Sequence, residues 1–264
     1  MTEAHARLVA NLDRYREIAI ATSGGVDSMT LAYMAHRFST AAATMVHAVS
    51  PAVPSAATER VQSHAERHGW HLLEIDAGEF RDPAYLANPV DRCYFCKSNL
   101  YHRIRGVTGL TIASGTNLDD LSDFRPGLRA AEELDVVHPF VEASLRKSDI
   151  YALAKYHGLD DLSRLPAQPC LASRVETGIA IDAEDLRFVE AIESELAALL
   201  PDAAAVRCRI TMNGVRVECE PLPHGPDYLR LAEHLDGLCA DAGRRLESIR
   251  PYRRGSAFLQ DGTR

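Results

Sequence analysis

The segment IAIATSGGVDSMTLA, residues 18–32, decides the fold of this chain. Its first residues are small and apolar, as in a buried strand, and helical spacing of apolar residues resumes at Met29. Two glycines turn the chain between the strand and the helix. Backbone N–H groups converge at such a helix N-terminus, where the partial positive charge favours an anion. The segment therefore predicts an α/β protein with an anion-binding turn.

The rest of the first 180 residues continues the alternation of strands and helices. Strands separated by helices of this length imply a parallel sheet with helices on both faces. Gly69 is expected to end the second helix after the loop in a left-handed conformation. We predict further strands at residues 44–49, 71–75 and 109–113, and helices at residues 5–15, 55–69, 98–104 and 146–156.

The pattern changes after about residue 178. Residues 183–200 predict a long amphipathic helix. In AVRCRITMNGVRVECE, residues 205–220, apolar and polar residues alternate on both sides of Asn213-Gly214, which predicts a hairpin with a type I′ turn. A helix near residues 227–240 and a strand near 245–249 complete a small α+β module. We predict a first domain at residues 1–180, which contains the glycine turn, and a second domain at residues 181–264, which serves substrate binding or oligomerisation.

Composition excludes several classes of protein. Of the 264 residues, 46% are hydrophobic and 25% are charged, the balance of an ordinary soluble globule. The net charge of −8 argues against a protein that wraps nucleic acid. The N-terminus does not resemble a signal peptide, and no stretch approaches the roughly 18 apolar residues of a membrane span. We expect a cytoplasmic protein with no membrane or nucleic-acid partner.

The turn itself, SGGVDS at residues 23–28, suits a phosphate group. Gly24 and Gly25 allow close backbone approach, and Ser23 and Ser28 offer hydroxyl groups. Asp27 would repel a phosphate, which indicates either a bound Mg²⁺ or a hydrogen bond that holds the loop. The Walker lysine and the GxGxxG fingerprint are both absent. The alternative is a glycine turn that only links a strand to a helix.

The six cysteines fall into two sets. In a reducing cytosol, metal ligands, catalytic thiols or core residues are favoured over disulfides. Cys208, Cys219 and Cys239 lie in periodic segments and are expected in the core. The other three lie among polar residues and prolines, in segments that we predict to be loops, and we call them the candidate thiols: Cys93, Cys96 and Cys170.

The spacing of the candidate thiols leaves three interpretations open. Three thiolates can hold a [4Fe–4S] cluster and leave one iron open for another ligand. A structural zinc would usually need a fourth ligand, which His102 or His138 could supply. The C-x-x-C pair at residues 93–96 is also compatible with a redox pair or with no function at all.

Several longer segments resemble a known family. SGGVDS after a strand resembles the pyrophosphate loop (PP-loop) of the ATP pyrophosphatases. The longer segments resemble the LarE family, ATP-dependent sulfur transferases that act in nickel-pincer nucleotide synthesis. They are AVSPAVP (48–54), DPAYLANPVDRCYFCK (82–97), SGTNLDDLSDFRPGLRAAEE (114–133), PAQPCLASR (166–174) and YRRGS (252–256).

The resemblance implies an activity and a set of ligands. Members of the family adenylate a substrate carboxylate with ATP and Mg²⁺, release pyrophosphate and form a thiocarboxylate. The expected substrate is a small nucleotide, a pyridinium biscarboxylate mononucleotide, and the expected assembly is a homo-oligomer. The ATP-binding residues would be Ser23, Gly24, Gly25, Asp27 and Ser28.

The resemblance also assigns the candidate thiols. Cys170 occupies the position of the cysteine that some members sacrifice as sulfur donor, leaving dehydroalanine. This chain departs from those members because it also has Cys93 and Cys96, and so resembles a three-cysteine subgroup. That subgroup is thought to carry sulfide on a [4Fe–4S] cluster, which argues against sacrifice of Cys170 here.

Basic side chains near Cys170 and in the hairpin are further candidates. Arg174 is expected either to act with Cys170 by meeting a phosphate or the substrate carboxylate, or to form a surface salt bridge. Arg207 and Arg209 share the polar face of the hairpin, which suits a phosphate. The resemblance points to the substrate's phosphate there. Glu193 or Glu195 could contribute, although exposed glutamates are common.

Two other groups carry weaker expectations. The acidic residues after the fourth strand are either Mg²⁺ or substrate contacts or a charge-balanced turn; they are Asp119, Asp120 and Asp123, beside Arg125. The histidines show no spacing typical of ligands and are expected at the surface or in packing; they are His36, His47, His64 and His68.

Two other functions compete with the sulfur transferase. A tRNA thiolase of the same superfamily can also combine a PP-loop with three cysteines and a cluster, but it would need a basic tract that the net charge of −8 speaks against. A non-catalytic module that senses ATP or stores metal is the third class. Pyrophosphate release that depends on substrate would exclude that class.

Overall fold

The computed structural model describes residues 2–122 and 126–253. The chain divides into two compact units. The first unit comprises Met1–Tyr85 and Asp91–Gln168, and the second comprises Leu86–Val90 and Pro169–Arg264. This division assigns residues 169–180 to the second unit. The domain boundary at residue 180 concerns independently folding domains, and it stays a prediction.

A four-stranded parallel sheet forms the centre of the first unit, with the strand order β3-β2-β1-β4. The predicted α/β fold with a parallel sheet is therefore confirmed. After β3 the chain crosses to the other side of β1, so the ends of β1 and β4 flank a topological switch point. The strands are β1 (Glu17–Ala21), β2 (Ala42–Ala48), β3 (His71–Ile75) and β4 (Ile112–Ala113).

Helices surround this sheet. Long helices occur where the sequence predicts them, whereas the short helices α4, α6, α7 and α9 were not predicted. Gly69 ends α3 with a left-handed φ of +68°, as expected. The helices are α1 (Glu3–Leu12), α2 (Val26–Phe38), α3 (Ser55–His68), α4 (Pro83–Leu86), α5 (Arg92–Thr108), α6 (Pro126–Glu133), α7 (Pro139–Glu142), α8 (Lys147–Tyr156) and α9 (Asp160–Ser163).

Alternation along β1 creates a core on each face of the sheet. Ile18 and Ile20 belong to one cluster of buried residues, together with Met29 of α2. Ala19 belongs to a second cluster, together with Ile104 of α5. Because successive side chains of a strand point to opposite faces, a strand that is apolar at every position is buried on both sides. This is why β1, with the sequence EIAIA, lies inside the sheet.

The second unit contains a three-stranded mixed sheet in the order β5-β6-β7. β5 and β6 form the predicted antiparallel hairpin, and β7 pairs parallel to β6. Cys208 and Cys219 are fully buried on its apolar face, as expected. The elements are α10 (Ala183–Leu199), β5 (Ala205–Thr211), β6 (Gly214–Glu220), α11 (Gly225–Asp241) and β7 (Leu246–Pro251).

The hairpin turn differs from the predicted type I′ turn at Asn213-Gly214. Thr211 pairs with Gly214, so Met212 and Asn213 form the connection, and neither has the positive φ that a type I′ turn needs. Gly214 instead has φ of +131°, and a Cβ there would lie 2.4 Å from the Arg245 carbonyl oxygen. The glycine is thus required by the close approach of the chain that enters β7.

No helix of the part of the chain that the structure describes is long and apolar enough to cross a membrane.

Candidate functional site

The glycine loop of the first unit joins the carboxyl end of β1 to α2. Gly24 has a left-handed φ of +78°, and a Cβ there would lie 2.6 Å from the Ala57 carbonyl oxygen of α3. Only glycine fits this approach. Gly25 is the N-cap of α2, and no side chain caps the helix there. Because the first N–H groups of a helix lack intrahelical acceptors, this turn can donate to a ligand anion.

The two serines of the loop have different surroundings. Ser28 is buried, and its Oγ accepts a hydrogen bond from the Ser23 backbone N–H at 2.9 Å. The same Oγ lies 3.1 Å from Ser23 Oγ. Ser23 is exposed. Ser28 therefore holds the loop closed, and the Ser23 hydroxyl is placed to meet a ligand.

Arg60 of α3 also holds this loop through a hydrogen bond to its backbone. Its Nη1 donates to the Gly24 carbonyl oxygen at 2.8 Å and to Gln168 Oε1 at 3.2 Å. In a trans peptide the N–H of the next residue points away from the carbonyl, so this contact also fixes the direction of the Gly25 N–H. The sequence analysis missed Arg60 because it lies on a different helix, 36 residues after Gly24.

Asp27 is held by two hydrogen-bond donors. Lys147 Nζ lies 2.5 Å from Asp27 Oδ2, and Asn117 Nδ2 donates to Asp27 Oδ1 at 3.4 Å. Burial raises the pKa of the Asp27 carboxyl, while Lys147 acts in the opposite direction. Of the two roles expected for Asp27, the hydrogen-bonded one is present, and a bound Mg²⁺ stays a prediction. Neither Lys147 nor Asn117 was predicted.

The loop after β4 packs directly against the start of α2. A Cβ on Gly115 would lie 2.7 Å from the Ser28 backbone nitrogen. Asn117 follows in the same loop, is fully buried, and donates to Asp120 Oδ2 at 2.9 Å as well as to Asp27. The segments after β1 and β4, which are distant in sequence, thus meet at the switch point of the sheet.

Of the acidic residues expected beside this loop, two can be placed. Asp119 Oδ1 lies 2.7 Å from Arg146 Nη1, and Asp119 Oδ2 accepts from the Lys147 backbone N–H at 2.9 Å. That backbone hydrogen bond holds the pKa of Asp119 below its ordinary value, and Arg146 adds to the effect. Asp119 therefore fixes the start of α8. Asp123, Arg125 and the last three residues of YRRGS lie outside the described residues.

Cys93 and Cys96 lie in the first turns of α5, so the prediction that they are in a loop is wrong. Asn88-Pro89 lies outside regular structure, but the helix already begins at Arg92. Cys93 is exposed and Cys96 half-buried. Residues three apart in a helix are neighbours on one face, which suits a shared metal centre. A Cβ on Gly127 of α6 would lie 3.5 Å from the Cys93 carbonyl oxygen, so α6 packs closely there.

Cys170 lies in the second unit, immediately before the 3₁₀ turn Leu171–Arg174. It is half-buried, in irregular chain as predicted. Arg174 Nη1 donates to the carbonyl oxygens of Pro169, at 2.9 Å, and Cys170, at 3.3 Å. The guanidinium therefore holds the backbone on which the Cys170 side chain is mounted.

Arg174 is paired with the half-buried carboxylate of Glu193. Its Nε and Nη2 donate to the two carboxylate oxygens of Glu193, each at 2.9 Å, and its side chain is only 5% exposed. Glu193 Oε1 also accepts from the Cys208 N–H at 3.0 Å, which ties the turn to α10 and β5. Arg174 is buried and Glu193 is half-buried, so the pair is not the surface salt bridge of the alternative expectation. The other candidate, Glu195, is exposed and pairs with His234 at 2.6 Å.

Arg207 and Arg209 lie on the same face of β5 but differ in their partners. Arg209 is buried, and its Nε lies 3.0 Å from Glu218 Oε2. Arg207 is half-buried, donates to the Val206 carbonyl oxygen at 2.6 Å, and lies 5.7 Å from the Tyr252 ring. Burial lowers the pKa of the Arg207 guanidinium. Arg207 is thus the more accessible of the two for an anion.

The cysteines outside the candidate set are core residues. Cys208, Cys219 and Cys239 are fully buried. Burial raises the pKa of all three thiols, to about 11 for Cys219. Thiols of this kind are inert because the thiolate is the reactive form. The two sets of cysteines predicted from the sequence therefore differ in exposure as expected.

The metal ligands can be assessed within each unit. Over residues 2–122 and 126–253, no group of three or more His, Cys, Asp or Glu side chains is arranged so that it could hold a metal ion. Of the candidate fourth ligands for zinc, His138 Nδ1 lies 2.8 Å from Ser114 Oγ, and His102 Nδ1 lies 2.8 Å from the Ser98 carbonyl oxygen. The thiols belong to different units, Cys93 and Cys96 to the first and Cys170 to the second, so their common centre stays a prediction.

Two of the four histidines set aside in the sequence analysis are buried packing residues. His47 is buried and bridges the Thr22 carbonyl oxygen, at 2.8 Å, and Thr58 Oγ1, at 2.9 Å. Burial lowers its pKa. It therefore supports the end of β1 from the side of α3. His64, also buried, lies 2.7 Å from Asp161 Oδ2.

Comparison with known proteins begins with an uncharacterized protein, slr1717, of the cyanobacterium Synechocystis sp. It is 36% identical to this chain over 206 residues, which are 76% of each protein. The chain belongs to the slr1717 family. The uncharacterized protein MJ0830 of Methanocaldococcus jannaschii is 28% identical over 196 residues, 73% of this chain and 74% of that protein. No family model matches the chain.

A third relative of this chain has a named activity. It is the pyridinium-3,5-bisthiocarboxylic acid mononucleotide synthase of Lactiplantibacillus plantarum, 28% identical over 249 residues. These residues are 92% of this chain and 89% of the synthase. The similarity therefore extends through both compact units.

Proposed function

We propose that this chain is an ATP-dependent sulfur transferase that converts a carboxylate of a pyridinium biscarboxylate mononucleotide into a thiocarboxylate, in nickel-pincer nucleotide synthesis. The observation that carries the proposal is an anion-binding glycine loop at the switch point of a parallel sheet. It occurs in a chain that aligns over 92% of its length with a synthase named for a bisthiocarboxylic acid mononucleotide.

ATP would activate the substrate. A carboxylate is a poor electrophile, and transfer of AMP to one of its oxygens makes an acyl-adenylate and releases pyrophosphate. The first-turn N–H groups of α2 and the Ser23 hydroxyl would bind the pyrophosphate, and Ser28 would keep the loop closed. The Asp27 carboxylate is the type of ligand that Mg²⁺ prefers. We assign ATP binding to Ser23, Gly24, Gly25, Asp27 and Ser28.

The second unit would hold the substrate and the sulfur-bearing segment. Arg207 and Arg209 would bind the substrate's phosphate, with Arg207 making the more direct contact. Arg174 would act through the Cys170 backbone, because its guanidinium is paired with Glu193 and donates to the Cys170 carbonyl oxygen. We therefore assign Arg174 a positioning role.

The candidate thiols would hold a [4Fe–4S] cluster that carries sulfide to the activated carbon. The donor chemistry fits, because Cys93 and Cys96 lie three residues apart on an accessible helix and Cys170 lies at an accessible turn. The three other cysteines are buried and have raised pKa values, so they are unsuited to bind iron. We further propose that the protein is cytoplasmic and forms a homo-oligomer.

The activity is tested by supplying ATP, Mg²⁺, sulfide and the pyridinium biscarboxylate mononucleotide under anaerobic conditions. We expect AMP and pyrophosphate in equal amounts, formed only with substrate, and a product in which sulfur replaces one oxygen. Cys170→Ala should abolish sulfur transfer but keep ATP binding, whereas the core variant Cys239→Ala should keep both. Pyrophosphate release that does not depend on the substrate would contradict the proposal. Tight retention of tRNA on a filter at moderate salt would also contradict it.

The cluster is tested separately by iron and sulfide analysis of anaerobically prepared protein. We expect the broad brown absorption of an iron–sulfur centre, lost in Cys93→Ser, Cys96→Ser and Cys170→Ala. Stoichiometric zinc in a colourless protein after iron reconstitution would refute the cluster. Loss of H₂S from Cys170, seen in the intact mass after turnover, would show that this cysteine is sacrificed instead.

A further inference from the structure

An ion pair lies beside the glycine loop, between Asp27 of α2 and Lys147 of α8. Lys147 Nζ is 2.5 Å from Asp27 Oδ2, and the two side chains are 33% and 26% exposed. Asn117 donates to the other carboxylate oxygen. In this state each charge is compensated by a neighbour in the protein, and neither depends on a ligand.

This pairing opposes the binding of a metal-free phosphate. Asp27 lies in the first turn of α2, close to the N–H groups that would meet the anion. Repulsion between a carboxylate and phosphate oxygens is strong where water is partly excluded. While Lys147 stays with Asp27, its positive charge is also withheld from the phosphate. If Lys147 moved alone, Asp27 would be left partly buried without its counter-ion, which is costly.

Bound Mg²⁺ would remove this obstacle. Carboxylate oxygens are preferred ligands of Mg²⁺, and a lysine ammonium binds phosphate oxygens as a point charge. We propose that the Asp27–Lys147 pair makes the loop selective for the magnesium complex of its nucleotide, because Asp27 then turns to the metal and Lys147 to the pyrophosphate oxygens. This inference rests on the proposed function, in which the loop binds the pyrophosphate part of ATP.

The start of α8 is built so that only the lysine side chain needs to move. The Lys147 N–H donates to Asp119 Oδ2 at 2.9 Å, and Arg146 Nη1 lies 2.7 Å from Asp119 Oδ1. Both contacts fix the backbone. The ammonium stands at the end of a flexible stem, 5.3 Å from the centre of the Tyr151 ring. Rotation of the stem can exchange one anionic partner for another without a change in the fold.

The test is calorimetric titration of the full chain with inorganic pyrophosphate, with Mg²⁺ or with a chelator. We expect the wild type to bind the magnesium complex at least about tenfold more tightly than free pyrophosphate. Asp27→Asn should bind free pyrophosphate about tenfold more tightly than the wild type does, and lose the preference for magnesium. Lys147→Met should weaken both forms of binding.

Two further variants serve as controls. Lys147→Arg keeps the charge and should retain the magnesium preference. Lys155→Met removes an exposed lysine of the same helix and should change neither affinity. Thermal melts will show that each variant is folded.

The outcomes separate this inference from the proposed function. A wild type that binds neither form of pyrophosphate would refute both. Binding of the magnesium complex together with an unchanged metal preference in Asp27→Asn would overturn the inference and leave the proposed function standing. Wild-type affinity in Lys147→Met would do the same.

Discussion

At the scale of single residues, the site depends on pairs whose members are distant in sequence. Lys147 contacts Asp27 across 120 positions, and Arg174 contacts Glu193 across 19. Asp27 and Arg174 were candidates because they lie in recognisable segments. Lys147 lies in an ordinary helix start, so nothing in its local sequence distinguishes it from a solvated lysine. Such partners become visible only when the fold brings two loops together.

The Arg174–Glu193 pair predicts a loss of stability on truncation of Arg174. Arg174→Met should lower the free energy of unfolding by about 3 kcal/mol, because the half-buried Glu193 would lose its counter-ion. Adding Glu193→Gln should recover part of this loss. Urea denaturation of the single and double variants measures both effects. Arg187→Met, which breaks an exposed pair on α10, is the control and should change stability by less than about 0.5 kcal/mol.

Equal stability of Arg174→Met and Arg187→Met would show that the Arg174–Glu193 pair contributes nothing to the fold. A double variant that is less stable than Arg174→Met would show that Glu193 has another partner of comparable strength.

At the scale of elements, β1 was easier to predict than the start of α5. The strand β1 and the glycine turn follow from local pattern, because every position of β1 after Glu17 is apolar. The start of α5 does not, because Asn88-Pro89 suggested a loop that extends past Cys93. The helix in fact begins at Arg92, after the N-cap Asp91, whose side chain makes no capping hydrogen bond, and no proline lies in its first turn. Helix starts without such signals are set by packing, here against α6.

The contact between the β4 loop and α2 predicts a strong effect of one methyl group. Gly115→Ala would place a Cβ 2.7 Å from the Ser28 backbone nitrogen, so the loop or the helix start must move. We expect affinity for magnesium pyrophosphate to fall by more than about tenfold, measured by calorimetry. The reason is that the first N–H groups of α2 would no longer converge on the anion.

A second glycine-to-alanine substitution is the matched control. Gly106 lies within α5, and a Cβ there would meet nothing within 4 Å. Gly106→Ala should therefore stabilise the protein by about 0.5–1 kcal/mol and leave pyrophosphate affinity unchanged. If both variants bind equally well, the close approach of Gly115 is irrelevant to the loop.

At the scale of the whole molecule, the class of fold was predictable and the strand order was not. Alternating strands and helices imply a parallel sheet, but the order β3-β2-β1-β4 depends on which strand β4 joins at the edge. Its pairing with β1 places Gly115 and Asn117 beside the glycine loop and so completes the candidate site. A strand of two residues, Ile112–Ala113, carries too little pattern to specify its neighbour. The sequence therefore predicted the anion loop but not the second loop that closes around it.

The first unit also contains a histidine pair that makes stability depend on pH. His5 Nδ1 lies 3.0 Å from His157 Nε2, and both rings pack on Phe38. Burial lowers the pKa of each imidazole. Protonation of one ring also disfavours protonation of the other, which further lowers the pKa of His157. Both histidines are thus neutral in the folded protein over a range in which free histidine takes up protons.

The sign of the effect follows from these lowered pKa values. The unfolded chain binds more protons than the folded chain below the ordinary histidine pKa of about 6.5, so stability is complete above that pH and falls as the pH drops through it. Between about pH 7.5 and 5.5, we expect the free energy of unfolding in urea to fall by at least about 1 kcal/mol. His157→Gln should make this dependence shallower, whereas His102→Gln, at an exposed position of α5, should leave it unchanged. Identical slopes for the wild type and His157→Gln would mean that the pair titrates alike in the folded and unfolded chain, and that acid sensitivity arises at other groups.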